Sequence, residues 1–232
     1  MQAAIATADR EGLAAVSMRR LAAVLQARTM SLYSHVANKD ELLDLMLDEL
    51  AREGMLGPDL PPHWREAAKA IAIRTRELAL AHPWCIELFG QRAQLGPNTM
   101  RLLEERVQAL DELALAPATA WSAITVLHDY VLGYAVREIA QASAVPADKA
   151  EAKRWQASVG GYLTELADSG DFPRIAPLLR AGYGMAADNF QIGLDWLLDS
   201  IERQFASPRP SKPARNGPRT NGAPVRNGRK SG

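Results

Sequence analysis

The sequence predicts an all-α protein of two domains, and three observations lead to that prediction. Apolar residues recur at helical spacings along the chain, and no stretch has the strict alternation that is typical of a half-buried strand. Hydrophobic residues make up 47% of the 232 positions, which is enough for a sizeable core. A Pro/Gly-rich junction at residues 54–62 separates short helical segments from longer ones. We therefore place the domains at residues 1–53 and 63–206.

Four helices are predicted in the first domain from their periodicity and their end signals. Gly12 is a suitable stop for the first helix, because glycine readily adopts the backbone angles found after a helix. Ser17 is a suitable N-cap for the second, since its hydroxyl can accept from a free backbone N–H. Asn38 opens the fourth, and acidic residues follow in its first turn. The predicted bounds are residues 1–10, 18–25, 29–35 and 38–53.

Five longer helices are predicted in the second domain, with proline-containing breaks between most of them. Their predicted bounds are residues 64–81, 98–114, 118–143, 148–168 and 183–206. Residues 207–232 contain Pro, Gly, Asn and Arg but almost no bulky apolar residue, and we expect this tail to be disordered. Seven basic and no acidic residues lie in it, which favours either a solubilising appendage or additional sequence-independent DNA affinity.

The positive charge of the first domain is concentrated in residues 17–39. Arg19, Arg20, Arg28 and Lys39 lie there, and residues 17–39 contain no acidic residue. The chain is neutral overall, so residues 1–206 carry a net charge of −7 once the basic tail is set aside. A body of that charge can bind DNA only through a local cationic surface, and residues 17–39 form the obvious one.

Several classes of protein are disfavoured by the sequence. No apolar run is long enough for a membrane span, and the first residues lack the pattern of a signal peptide. Cys85 is the single cysteine, so an internal disulfide is impossible and we expect a cytoplasmic protein. No metal-ligand spacing, phosphate-binding loop or nucleophile motif is present. We therefore expect neither a metal nor a cofactor, and no enzymatic activity.

Three runs of residues resemble the tetracycline-repressor (TetR) family of transcriptional regulators. In the first domain the run is Leu32-Tyr33-x-His35-Val36, followed by Asn38-Lys39 and Leu42-Leu43. In the second domain, His128-x-Tyr-x-Leu-Gly-Tyr134 and Phe190-x-x-Gly-Leu-Asp-x-Leu-Leu198 resemble the C-terminal domain of the tetracycline repressor. The resemblance implies an N-terminal three-helix helix-turn-helix DNA-binding domain and a C-terminal helical domain for ligand binding and dimerisation.

The resemblance also implies a homodimer that binds a palindromic operator and is released by a small-molecule effector. The third helix would then be the recognition helix. Leu32 and Val36 are four residues apart and face inward, which leaves the other side of this helix for the major groove. The expected DNA-binding residues are Ser17, Arg19, Arg20, Arg28, Thr29, Met30, Ser31, Tyr33, Ser34, His35 and Lys39.

The turn between the second and third helices departs from the family pattern. Members usually carry glycine there, whereas this chain has Gln26-Ala27. A left-handed backbone at Gln26 would cost on the order of 1 kcal/mol.

Amphipathic side chains of the second domain are the expected ligand contacts, because pockets combine apolar walls with a few polar groups. These are His82, Trp84, Trp121, His128 and Tyr134. Apolar stripes on two of the helices are expected to form a two-fold four-helix dimer interface. The stripe residues are Ile124, Leu127, Val131, Phe190, Leu194, Leu197 and Ile201. The alternative is that both stripes belong to the internal core.

Two other functions remain compatible with the sequence. One is a constitutive or activating DNA-binding regulator that needs no ligand. The other is a helical protein that binds or carries a small molecule. That such a protein would be an enzyme is disfavoured by the absence of a catalytic motif.

Overall fold

A computed structural model describes residues 1–89, 95–146, 148–181 and 188–205, and every regular element within these ranges is helical. The all-α prediction is therefore confirmed. The disorder expected for residues 207–232 and the predicted helical residues 183–187 and 206 lie outside the described ranges. None of the described helices combines the length and the apolar composition that crossing a membrane requires.

The first four helices follow the predicted caps closely. Their bounds are α1 (Gln2–Glu11), α2 (Met18–Val24), α3 (Thr29–Tyr33) and α4 (Lys39–Gly54). Gly12 ends α1 with a φ of 80°. The Ser17 hydroxyl accepts from the Arg20 backbone N–H at 3.2 Å, and the Asn38 side chain accepts from the Glu41 N–H at 2.8 Å. Helices α2 and α3 are slightly shorter than predicted, because each ends in a tight turn.

Seven helices follow the junction within the described ranges. They are α5 (Trp64–Ala81), α6 (Cys85–Leu88), α7 (Pro97–Gln108), α8 (Pro117–Ala144), α9 (Lys149–Asp168), α10 (Ala176–Arg180) and α11 (Phe190–Phe205). The predicted helix 98–114 ends early, at Gln108, because a short 3-10 turn follows and Ala114 adopts a left-handed backbone. Residues 188–189 are not helical, so the predicted start at 183 is too early. The short helices α6 and α10 escaped prediction.

One hydrophobic core lies under the first three helices and extends into the second part of the chain. Ile5, Val16, Leu21 and Met46 are buried in it. Three buried residues of the α6 segment, Trp84, Cys85 and Leu88, belong to the same core. The junction at residues 54–62 therefore divides the sequence, but α6 packs with the N-terminal helices.

A second core joins α5, α8 and α11, and it contains most of the residues expected at a dimer interface. Phe190 and Leu194 have no exposed surface, and Ile124, Val131 and Ile201 are buried with them. Leu127 and Leu197 are half-buried at its edge. The two predicted stripes thus pack against each other within one chain. Most of the stripe residues are therefore covered within the chain, although Leu197 and Ile201 also line a groove on its outer face.

Close approach between α8 and α11 depends on a glycine. A Cβ atom at Gly193 would lie 2.3 Å from the Tyr130 hydroxyl oxygen, which is far inside van der Waals contact. That hydroxyl donates to the Phe190 carbonyl at 2.8 Å. The glycine therefore lets a tyrosine of α8 bond to the first turn of α11.

Candidate functional site

The outer side of α3 is a polar surface that protrudes from the N-terminal core. Leu32 and Val36 pack against that core, as the sequence indicates. Met30 is 76% exposed, and Tyr33 is also exposed. Ser31, Ser34 and His35 are exposed beside them, whereas Thr29 is half-buried. The helix thus presents a largely uncovered face whose side chains can reach a flat or grooved partner.

Positive charge surrounds this face. Arg19, Arg28 and Lys39 are exposed, and none of them forms an ion pair with another described residue. Arg20 differs, because its guanidinium lies 2.7 Å from the Glu11 carboxylate and lowers the pKa of that carboxyl. Arg20 therefore holds α2 to the end of α1, whereas the other three cations are available to phosphate groups.

The turn between α2 and α3 has the strained backbone that its sequence suggests. Gln26 has a φ of 52°, in the left-handed region. The Ala27 N–H donates to the Ala22 carbonyl at 2.9 Å and closes the end of α2. A glutamine thus occupies a position that glycine fills without steric cost.

A cavity of about 310 Å³ lies between α4, α5, α7 and α8. Its walls are mostly apolar and include Leu50, Leu78, Phe89, Leu103 and Leu132. Cys85 also lines it, and burial raises the pKa of this thiol to about 12, so the sulfur stays protonated and unreactive. A smaller void of about 30 Å³ adjoins it. Size and lining suit a small organic molecule.

The two spaces share three polar lining residues, Thr75, Arg106 and His128. One terminal nitrogen of Arg106 lies 3.3 Å from His128 Nδ1, and the other lies 3.4 Å from the Thr75 hydroxyl. Burial, with a smaller contribution from Arg106, lowers the pKa of His128 to about 4. Burial also lowers the pKa of Arg106. At neutral pH the imidazole is therefore neutral and accepts from the guanidinium.

Only two of the five residues expected to contact a ligand line this cavity, namely His128 and Trp121. His82 and Trp84 instead lie at the base of α1, where His82 Nδ1 and Trp84 Nε1 are each 2.7 Å from an Asp9 carboxylate oxygen. Tyr134 accepts from the Asn189 N–H at 2.7 Å, next to α11. Their amphipathic character thus serves contacts between helices.

Arg106 and Thr75 were missed by sequence reasoning, although Arg106 carries a usable signal. Arg106 lies in a series at helical spacing, residues 102, 103, 106 and 110, whose other members are all leucine; the first three belong to α7 and the last follows it. A cation within an apolar stripe predicts a buried charge, and a buried charge needs a partner.

Two carboxylates join α7 to α4 and to the segment that directly follows α4. Asp48 of α4 is only 8% exposed and accepts from the backbone N–H groups of Asn98 and Thr99, at 3.0 and 2.9 Å. Glu105 of α7 accepts from the N–H groups of Leu56 and Gly57, at 3.0 and 2.7 Å. The helix that carries Arg106 is thus bonded near its start to α4 and near its end to the segment that directly follows α4.

Known proteins resemble the chain over both of its parts. A family model described as "Tetracyclin repressor-like, C-terminal domain" matches residues 57–205. The HTH-type transcriptional repressor DrrR1 of Streptomyces coeruleorubidus is 37% identical over 211 residues, which is 90% of this chain and 78% of that protein. Crystal structures of the Streptomyces coelicolor TetR family protein ActR, in complex with (S)-DNPA and with actinorhodin, are similar. They have TM-scores of 0.70 and 0.71, and both are 29% identical, covering 88% of this chain and 95% of ActR.

Proposed function

Because the chain belongs to the tetracycline-repressor family of transcriptional regulators, we propose that it binds a palindromic operator as a homodimer and leaves it when a small-molecule effector fills the cavity. The chain is a regulator rather than an enzyme. The observation that carries the effector-dependent part is the pair of carboxylates, Asp48 and Glu105, that join α7 to α4 and to the segment directly after it. Through them a change at the cavity wall can reach the helix that supports the DNA-binding face.

Operator binding is supported by the exposed face of α3 and by the cations around it. The N-terminal part of such a helix fits the major groove, where an arginine can contact guanine O6 and N7 together. Arg19 is free to take that role, and Tyr33 and Lys39 can contact phosphates. These assignments agree with the roles that the family resemblance implies.

Effector binding is supported by the cavity and by the relatives. ActR has been crystallised with two small molecules, (S)-DNPA and actinorhodin. In this chain the cavity is bounded by α4, α5, α7 and α8, so a ligand within it would contact α7 and α4 together. A ligand that favours one arrangement of these helices shifts the equilibrium between DNA-binding states by its differential affinity.

The dimer is proposed to form on the outer face of α8 and α11 rather than through the buried stripes. Trp196 is 70% exposed, and Val126 and Ile192 are also exposed there. A groove of about 520 Å³ between the two helices has Leu197 and Phe205 in its lining. Apolar side chains gathered on a solvent-facing surface are typical of an interface. We expect Trp196→Asp to convert the dimer to a monomer in sedimentation experiments, whereas an unchanged mass would exclude this face.

The DNA-binding part is tested by selecting duplexes from a random pool and measuring affinity by fluorescence anisotropy. An inverted repeat is expected among the selected sequences. Arg19→Ala is expected to weaken binding by about 5- to 150-fold, the equivalent of about 1–3 kcal/mol for a base contact. Tyr33→Ala should weaken it for all sequences alike. Arg101→Ala, an exposed arginine on α7, is the control and should bind as the unmodified protein does. Unchanged operator affinity in both test variants would contradict the proposed interface.

A further inference from the structure

We infer that the effector carries an anionic oxygen group, most simply a carboxylate, that binds Arg106 inside the cavity while an apolar ring system fills the rest. The inference rests on the proposed function and names the chemical class of its ligand. It depends on the charge balance around Arg106, on the geometry of the cavity and on the position of Arg106 in α7.

Arg106 is half-buried, and its guanidinium has no counter-charge within the described part of the chain. Its Nε has no hydrogen-bond partner, and no acidic side chain in the described part of the chain forms an ion pair with it. Its two contacts are with neutral groups, at 3.3 and 3.4 Å, which are long for hydrogen bonds to a cation. The neighbouring Glu105 carboxylate is engaged by the backbone of residues 56–57. Burying an uncompensated cation is costly, so the site favours the arrival of an anion.

The cavity surrounds this cation with apolar surface. Leu50, Phe89 and Leu103 line the larger space, and Arg106 contributes to the walls of both spaces. An arginine offers parallel N–H donors that match the two oxygens of a carboxylate. In a site shielded from water, such a pair is strong and specific. The lining therefore fits a compact aromatic or alicyclic acid better than a neutral or cationic molecule.

His128 is placed to assist Arg106 in binding the ligand without adding charge to the cavity. Because its Nδ1 accepts from Arg106, the neutral ring carries its proton on Nε2. The ring lies edge-on to Phe89, with centroids 6.1 Å apart, at the wall of the larger space. It can donate one further hydrogen bond to an oxygen of the ligand.

Binding at Arg106 would act on the regulatory link directly. Arg106 follows Glu105, whose carboxylate holds the backbone after α4, and α7 begins at the residues that Asp48 holds. An anion that draws the guanidinium toward itself would move the same turn of α7 that contacts residues 56–57. The charge of the ligand would thus contribute to the switch as well as to affinity.

The test compares an acid with its neutral analogue: anthraquinone-2-carboxylate and anthraquinone-2-carboxamide. Affinity is measured by calorimetry and by thermal stabilisation of the full chain at ligand concentrations up to about 1 mM. We expect the unmodified protein to bind the carboxylate at least tenfold more tightly than the amide. Arg106→Met should abolish this preference, and Arg106→Lys should keep part of it. Arg101→Met, on the same helix but exposed, should leave it unchanged.

The inference is overturned if the unmodified protein binds acid and amide equally, if it binds neither, or if Arg106→Met keeps the preference. If Arg106→Met does not fold cooperatively, the affinities for the acid and the amide are compared in Arg106→Gln instead, with the same outcome expected. Operator binding is followed in parallel. An operator complex that neither compound affects contradicts the effector-dependent function, whereas release by the amide as readily as by the acid contradicts only the anionic site.

Discussion

Replacing Asp48 with alanine removes the side chain that joins α4 to the first turn of α7. Both carboxylate oxygens are used. Besides the two backbone N–H groups, they accept from the Asn98 side-chain amide at 2.9 Å and from the Thr99 hydroxyl at 3.2 Å. A Cβ atom at Gly96 would lie 2.1 Å from the same carboxylate, so the chain passes as closely as a glycine allows. Few alternative partners can reach this site.

The magnitude follows from these contacts. Loss of a helix N-cap costs about 1 kcal/mol, and leaving a buried N–H unpaired costs about 1–3 kcal/mol more. Removing the buried charge offsets part of this, because the carboxylate no longer has to be desolvated. We therefore expect Asp48→Ala to lower the free energy of unfolding by about 3 kcal/mol. For a chain of this length that corresponds to roughly 6–12 °C in Tm. Asp48→Asn, which keeps one carbonyl oxygen, should lose about half as much.

Urea denaturation followed by circular dichroism measures the effect, with Tm from calorimetry as a second readout. Glu104→Ala is the matched control, since Glu104 is an exposed acidic residue of α7. It should change stability by no more than about 0.5 kcal/mol. A loss below about 1 kcal/mol in Asp48→Ala would refute the reasoning, because the cap would then be replaceable by water.

Three further predictions concern the backbone, the packing and the pH response. Gln26→Gly should raise the free energy of unfolding by about 0.5–1 kcal/mol in urea denaturation, since it removes the left-handed strain, and a loss of stability would contradict this. Gly193→Ala should lower the free energy of unfolding by about 1–3 kcal/mol, because the new methyl group clashes with Tyr130. Adding Tyr130→Phe should recover part of this loss. If the effects of the two substitutions are simply additive, the contact between these residues is excluded. The pKa of His128 falls from 6.5 to about 4 on folding. The contribution of this residue to the free energy of unfolding is therefore present above pH 6.5 and is lost as the pH falls toward 4. Between pH 7 and pH 4.5 the free energy of unfolding of the unmodified protein should fall by roughly 2–3 kcal/mol more than that of the His128→Gln variant. Equal decreases in the two proteins would indicate an exposed imidazole.

Local signals in the sequence predicted the helices well because their causes lie within a few residues. Gly12, Ser17 and Asn38 mark helix ends in the structure as they do in the sequence, since each acts on backbone groups in the adjacent turn. The helix expected at residues 64–81 has those bounds. The left-handed backbone at Gln26 was raised as a possibility by the family resemblance, because members usually carry glycine there.

The apolar stripes show where local periodicity stops being informative. It identified Phe190, Leu194 and Ile201 as one face of a helix, and that face is indeed buried. Periodicity does not distinguish a partner in the same chain from a partner in a second one, because both bury the same kind of surface. The packing of α11 on α8 decided in favour of the same chain.

The sequence by itself determined that this protein is helical, where most helices begin and end, and that a basic surface lies around α3. Only the tertiary structure decided what the polar side chains of the second part do. His82 bonds to Asp9, 73 residues earlier, Asp48 caps a helix 50 residues later, and Arg106 meets His128 across 22 residues. Helix caps and periodicity depend on neighbours in sequence, whereas the partner of a buried charge depends on which helices pack together. The contacts of α7 on which the proposed regulation rests are therefore visible only in the folded chain.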